Sequence, residues 1–372
     1  MGNAPKTATE PPDLLRLVSQ GAGRSGAAAA ILVLQAAGSC SAPAGTLAVV
    51  EDSGRLHGTV GGGAVEAAAL EVVREVLADG RPRRFRFALQ GADPAAPVPV
   101  CGGWMELLVW RPTPRHQAVL GEAADALAAG RSGFLELRLQ RPAPTGLAAG
   151  PATTADPPGR PVFLPCTAVE LIWREAGASG TGDESAADSP AGSGLEGAVE
   201  SFVFPLRPRP RLIIAGGGHV GRALAHCAAF AGFAVEVVED RSEFARPERF
   251  PEGTRIHLGP VAAALRRLPL GPDAFVALVT RNHLEDTAAL EAVLGREAAY
   301  VGMIGSRRKV AMVRQTLLES GRAQPGELAR LHAPIGLEIG AVTPAEIAVS
   351  IVAEMIAVRR GVASGPAQAT QP

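Results

Sequence analysis

The stretch that decides the fold is Arg211-Leu212-Ile213-Ile214-Ala215-Gly216-Gly217-Gly218-His219-Val220-Gly221. An apolar run ends in G-x-G-x-x-G, and helix-compatible Arg222-Ala223-Leu224 follows at once. A second apolar run, 233–238, ends in Glu239 and Asp240, about 20 residues past the glycines. Strand, glycines, helix, strand and acid in that order specify a βαβ unit of nucleotide-binding type; the glycines alone would not. Gly216, Gly218 and Gly221 let backbone approach an anion at a helix start opened by His219, where free N–H groups and the helix dipole favour negative charge. Glu239 suits a ribose hydroxyl and Arg241 suits a 2′-phosphate, so these residues fit NAD and NADP alike; the plain alternative is a set of surface ion pairs.

Downstream, 275–280 and 300–305 are apolar runs, each followed by a helix-compatible segment, 286–294 and 307–320. The alternation predicts a doubly wound parallel sheet. Thr343-Pro344-Ala345-Glu346 opens a last apolar helix: Thr343 caps, Pro344 suits the first helical position, and Glu346 completes a capping box. In such a sheet ligands bind at the carboxyl edge. Thr280-Arg281-Asn282-His283-Leu284-Glu285-Asp286 leaves that edge, and His283 with Asp286 is a candidate acid/base pair, the alternative being an N-cap Asp286 beside a solvated histidine. Ser306-Arg307-Arg308-Lys309 sets three cations at a helix start, where the dipole disfavours them. Ser306, Arg307 and Lys309 are understandable there if they face a phosphate, and are otherwise solvated charge.

Upstream the chain reads as a smaller α/β domain. A short helix is expected over 13–23, strands over 28–36, 46–51, 83–89 and 104–110, and a helix over 64–78 with Val65, Ala68, Ala69, Val72, Val73 and Val76 at helical spacing. Gly80 sits where a C-terminal stop belongs. Gly61-Gly62-Gly63 before that helix is a second candidate anion cradle, and Gly38-Ser39-Cys40-Ser41 is a glycine and hydroxyl loop at a strand end. Cys101-Gly102-Gly103 joins two strands around an accessible thiol. A thiolate suits molybdenum, copper or persulfide chemistry; a lone cysteine is otherwise a small apolar residue.

The region 113–206 is more variable. A helix over 117–129 and short strands over 133–139, 162–166, 169–174 and 201–206 are expected, the strands as one antiparallel meander. The stretches 143–161 and 177–197, rich in small residues, Pro and Gly, predict loops. Pro208-Arg209-Pro210 reads as an interdomain joint. The expected organisation is a disordered tail (1–12), an N-terminal domain (13–112), the variable region, a Rossmann-like domain (207–361) and a second disordered tail (362–372).

The 372 residues suffice for two cores. With 36 Lys and Arg against 37 Asp and Glu the net charge is −1, so neither nucleic acid nor an anionic membrane is an expected partner. The 4 cysteines lack CxxC spacing, which argues against a zinc site or a disulfide framework. No apolar run reaches the length of a membrane span and no signal-peptide pattern opens the chain, so a cytoplasmic protein is expected.

These pieces together resemble the XdhC/CoxI family, maturation factors of xanthine and carbon monoxide dehydrogenases. The C-terminal resemblance rests on the glycine loop, Glu239-Asp240-Arg241 with Phe244 and Glu248-Arg249-Phe250-Pro251, Thr280 through Asp286, Tyr300 through Lys309, His332-Ala333-Pro334-Ile335-Gly336 and Thr343 through Ile351. The N-terminal resemblance rests on Gly38-Ser39, Pro43-Ala44-Gly45, Gly61-Gly62-Gly63, Val65-Glu66 and Cys101-Gly102-Gly103. It implies an N-terminal domain handling molybdenum cofactor (molybdopterin), with Cys101 as the contact to molybdenum and Cys40 as a second thiol, and a C-terminal Rossmann domain open to NAD(P) or another nucleotide. It also implies a homodimer that carries the cofactor without turnover of its own, protects it during sulfuration by a cysteine desulfurase, and passes it to a xanthine dehydrogenase-type molybdoenzyme. An NAD(P)-dependent oxidoreductase with His283 as acid/base, or a divergent non-catalytic scaffold, are the alternatives. The chain departs from the family pattern at Ala64, where the family carries cysteine, and in 39–43, which lacks the family's arginine.

Overall fold

The computed structural model describes residues 11–21, 28–38, 40, 42–51, 53–89, 103–140, 160–176, 198–281 and 283–362. Cys101, Gly102 and Asn282, the expected loop 177–197 and nearly all of 143–161 lie outside them, as do 1–10 and 363–372 of the two expected tails. The chain forms two compact units, 1–208 and 209–372.

The first unit runs α1 (Pro11–Ser19), β1 (Ala28–Gly38), β2 (Leu47–Glu51), β3 (Leu56–Gly58), α2 (Gly63–Asp79), β4 (Arg83–Leu89), β5 (Gly103–Trp110), α3 (Pro114–Ala128), β6 (Gly133–Gln140), β7 (Pro161–Leu164), β8 (Ala168–Glu175) and β9 (Val199–Leu206). A six-stranded antiparallel sheet has the order β3-β2-β1-β5-β4-β7. The apolar run in β1 is continuous because both its faces are buried. Ala30, Leu32 and Leu34 join the core with α1 and α3, while Ala29, Ile31 and Val33 join the core with α2. Gly80 ends α2 in the left-handed conformation, as the sequence predicts. The single meander expected for the middle region does not form. β7 pairs with β4 in the large sheet, and β6 is the centre of a separate sheet of order β8-β6-β9. Leu137, Leu171, Phe202 and Phe204 of that sheet share the core of Leu14 and Leu120, so this region is integral to the first unit. α1 begins at Pro11, inside the stretch expected to be a tail.

The second unit runs β10 (Arg211–Ala215), α4 (His219–Phe230), β11 (Ala234–Glu239), β12 (Arg255–Leu258), α5 (Val261–Arg267), β13 (Ala274–Leu278), α6 (His283–Glu291), β14 (Tyr300–Met303), α7 (Arg307–Glu319), α8 (Pro325–Ala329), β15 (Leu331–His332) and α9 (Pro344–Arg359). The sheet is parallel throughout, with order β12-β11-β10-β13-β14-β15. That order reverses direction between β10 and β13, the topological switch point of a doubly wound nucleotide-binding fold. Leu212 and Ile214 face α4 and α9; Ile213 and Ala215 face the opposite core with Leu265, Leu290 and Leu317. The capping box at Thr343 and Glu346 forms, with Pro344 in the first turn of α9.

Candidate functional sites

In a parallel sheet every strand ends on the same edge, so the turns after β10, β11, β13 and β14 converge. Gly216 has φ +113°, and a Cβ there would stand 2.6 Å from the Val279 carbonyl oxygen. A Cβ at Gly221 would stand 1.9 Å from the Gly216 carbonyl oxygen, so the first turn of α4 packs directly on the loop. Gly218 differs: it is the N-cap of α4 with ordinary φ −66°, and no atom lies within 4 Å of its Cβ position. α4 has no side-chain cap and exposes His219. Its first-turn N–H groups border this open space, the arrangement in which helix starts accept anions.

Glu239 is engaged internally. Its carboxylate accepts from the Gly217 N–H at 2.7 Å, from the Asp240 and Arg241 N–H groups at 3.1 Å each, and from the Arg241 guanidinium at 2.9 and 3.1 Å. Burial pushes its carboxyl up, and the hydrogen bonds from Arg241, Asp240 and Gly217 more than offset that, holding it at about 2. With its side chain 2% exposed, Glu239 braces the glycine loop. Arg241 also lies 3.8 Å from the Phe244 ring centre, with Arg249 at 4.8 Å, and Arg249 donates to the Gly217 carbonyl at 3.2 Å. The role of Phe244, Arg249 and Phe250 as a buttress is invisible in sequence, because these residues meet the loop only through the fold. Asp240 is more exposed and pairs with Arg281 at 2.9 Å.

His283 and Arg307 to Lys309 stand at this edge as the first turns of α6 and α7, not on loops. Asp286 is fully buried, and its oxygens are taken by Thr280 Oγ1 at 2.5 Å and by the Lys309 ammonium. The geometry therefore pairs Asp286 with Thr280 and Lys309. It also turns Lys309 inward. Arg307 pairs with Glu338 at 3.1 Å, both well exposed, and Arg308 is exposed with no partner among the described residues. Ser306 caps α7 by accepting from the Lys309 N–H at 3.2 Å. One further buried network escaped the sequence. Glu354 on α9 accepts from Tyr300 Oη, from the Gly336 N–H at 2.8 Å, and pairs with His332 Nδ1 at 3.1 Å. Its burial pushes its carboxyl up, but His332, Tyr300 and Gly336 bring it below the usual range. The network ties the turn after β15 to α9.

A second edge belongs to the first unit. The registers Gly38↔Gly103 and Leu89↔Gly103 bring the ends of β1 and β4 and the start of β5 together, while β3 ends at Gly58, level with Ile31 in β1. Cys40 lies at this edge against β5, with its Sγ 3.5 Å from the Trp104 carbonyl oxygen, and it packs on the core that holds Val60 and Val65, which flank the triple glycine. Gly62 and Gly63 have φ +70° and +57°, with open space around their Cβ positions. The Gly61 N–H donates to Thr59 Oγ1 at 3.2 Å, and Thr59 donates to Glu66 at 2.8 Å, tying the loop back to the first turn of α2. Ala64 is exposed beside it. Cys40 Sγ is half-buried, 3.2 Å from the Ala37 carbonyl oxygen, and burial pushes its thiol up. Among the described residues no cluster of three or more His, Cys, Asp or Glu is set to hold a metal, and no helix is long and apolar enough to cross a membrane.

A doubly wound Rossmann unit preceded by a small antiparallel α/β unit defines a two-part protein with a glycine-rich loop at one edge of each sheet. Residues 22–88 match the XdhC and CoxI family and residues 212–355 match the XdhC Rossmann domain. The chain belongs to the XdhC and CoxI family. It is 41% identical to uncharacterized protein YqeB of Escherichia coli K12 over 175 residues, 47% of this chain and 32% of that one. It is 32% identical over 162 residues, 44% of this chain, to a probable xanthine dehydrogenase subunit of Bacillus subtilis 168, covering 47% of that protein. The chain thus spans a third to a half of these two relatives. It is also 25% identical over 329 residues to the molybdenum cofactor insertion chaperone PaoD of Escherichia coli K12, 88% of this chain and 82% of that one. A Bacillus halodurans crystal structure described as a xanthine dehydrogenase shares the fold, with TM-score 0.70 at 24% identity over 96% of this chain and 98% of that one.

Proposed function

We propose that this chain is a maturation accessory protein of a xanthine dehydrogenase-type molybdenum hydroxylase. It holds molybdenum cofactor in its first unit, shields it while a cysteine desulfurase supplies sulfur, and delivers it to the apo-hydroxylase in the cytoplasm, as a homodimer and without turnover of its own. The observation that carries this reading is Cys40 beside the strand that follows Cys101, packed on the core shared by Val60 and Val65 around the triple glycine, in a chain that aligns with PaoD over most of its length. Molybdopterin carries a phosphate and a dithiolene, and the bound group supplies a molybdenum centre. The open cradle at Gly62 and Gly63 fits a phosphate, and the thiols of Cys40 and Cys101 are the soft donors that suit molybdenum. The second unit binds a nucleotide of dinucleotide type at Gly216 to Gly221.

The test is to express the chain with cofactor biosynthesis intact and to assay molybdenum, pterin and nucleotide in the purified protein. Molybdenum and pterin in fixed proportion to protein are expected; their absence refutes the carrier role. Cys101→Ser is expected to lower bound molybdenum several-fold, since a hydroxyl is a much poorer soft ligand. Equal metal content in variant and parent would remove Cys101 from the site. Ala64→Cys is expected to raise molybdenum loading. Position 64 is exposed at the start of α2, next to the triple glycine, so a thiol fits there without disturbing the core. A folded variant with unchanged or weaker loading would show that this chain binds in another geometry.

A further inference from the structure

The Asp240–Arg281 pair crosses the mouth of the second unit's crevice. β10 lies between β11 and β13 in the sheet. Asp240 follows β11 and Arg281 lies just past β13, so their 2.9 Å contact spans the carboxyl end of β10, above the glycine loop. Arg281 also reaches Glu285 at 2.7 Å. The guanidinium therefore holds the Asp240 carboxylate through Oδ2, with Oδ1 3.8 Å from Arg241 and the Glu239 carboxylate alongside. Glu239, the acid that ends the strand, is buried with its oxygens on Gly217, Asp240 and Arg241. Arg241 in turn has its fork on Glu239 and its face on Phe244.

Two consequences follow for a dinucleotide lying across this switch point. The carboxylate facing its adenosine ribose is Asp240, not Glu239. The rim around that ribose carries the carboxylates of Glu239, Asp240 and Glu285 against the guanidiniums of Arg241 and Arg281, both already bound to carboxylates, while Arg249 donates to the Gly217 carbonyl. A ribose hydroxyl finds an acceptor there, whereas a 2′-phosphate meets like charge and two cations that are already engaged. We infer that the crevice selects a dinucleotide with an unphosphorylated adenosine ribose, and that Asp240, positioned by Arg281 over the glycine loop, is the residue that selects it. This rests on the nucleotide-binding role proposed above for the second unit.

Calorimetry on the full chain with NAD+ and NADP+ tests it. NAD+ is expected to bind at least about ten-fold more tightly than NADP+. Asp240→Asn keeps an acceptor oxygen and removes the charge, so it should retain NAD+ within a few-fold and bind NADP+ more tightly than the parent does. Asp240→Ala should weaken NAD+ and lose most of the discrimination. Equal affinities in the parent protein, or tighter NADP+, overturn the inference while leaving a nucleotide site in place. An unchanged ratio in Asp240→Asn and Asp240→Ala removes Asp240 as the selecting residue. Binding of neither dinucleotide overturns the nucleotide reading itself, and the inference with it.

Discussion

Gly218→Asp is expected to abolish nucleotide binding by the second unit and leave that unit folded. Gly218 is the one glycine of the fingerprint that the backbone does not require: its φ of −66° is open to any residue, and its Cβ position is clear to 4 Å. Aspartate is also a preferred N-cap, and α4 lacks a side-chain cap, so the variant can accept from first-turn N–H groups and hold or raise stability. Those are the groups a diphosphate needs. Losing charge-assisted hydrogen bonds and adding a like charge together predict an affinity loss of at least about 100-fold. Circular dichroism should match the parent and molybdenum loading should be little changed, because that role falls to the other unit. Gly221→Ala gives the contrast, since its Cβ would overlap the Gly216 carbonyl and damage the fold itself. Nucleotide affinity unchanged in Gly218→Asp would show that the loop is a tight turn and not a cradle. Calorimetry showing no nucleotide binding to the parent would refute the cofactor assignment outright.

The parts of the fold that could be read from sequence were those whose periodicity is local. β10, α4 and β11 follow from apolar runs and glycines, and the start of α9 from Thr343, Pro344 and Glu346. β12, α5, α8 and β15 did not appear in the sequence reading because they span two to seven residues, too short for a period to register. The separate β8-β6-β9 sheet was equally hidden. Four short strands do not say which of them pair, and β7 leaves its neighbours for β4. At the candidate site the sequence located the residues and missed their partners. Glu239 stands at the expected place, but it faces Gly217 and Arg241. Lys309 stands at a helix start, but a buried Asp286 turns it inward. Such pairings join residues 22 and 23 positions apart, and only the tertiary fold brings them together.

The largest stability effect is expected at Arg84. In β4 the alternation puts Phe85, Phe87 and Leu89 on one face and Arg84 and Arg86 on the other, a pattern that reads as a solvated polar face. The fold covers that face with β9. Arg84 is buried, donates to Glu106 on β5 at 2.7 Å, and makes a bidentate pair with Glu200 on β9 at 2.7 and 3.0 Å. It therefore links the large sheet to the three-stranded one, 5.4 Å from the Phe202 ring centre. Burial opposes its charge, and the bonds to Glu200 and Glu106 more than offset that. Arg84→Ala removes both links and leaves Glu106, 2% exposed, with only the Arg86 pair at 3.1 Å among the described residues. Stripping one partner from a buried ion pair costs about 3–5 kcal/mol. Glu200→Ala should cost at most about 1 kcal/mol, because that carboxylate is partly solvated and Arg84 keeps Glu106. The measurement is direct: all 3 tryptophans, Trp104, Trp110 and Trp173, lie in the first unit, so their fluorescence in a urea titration reports that unit alone. An unchanged midpoint in Arg84→Ala would mean that apolar packing of Leu137, Phe202 and Phe204 holds the two sheets together without the ion network.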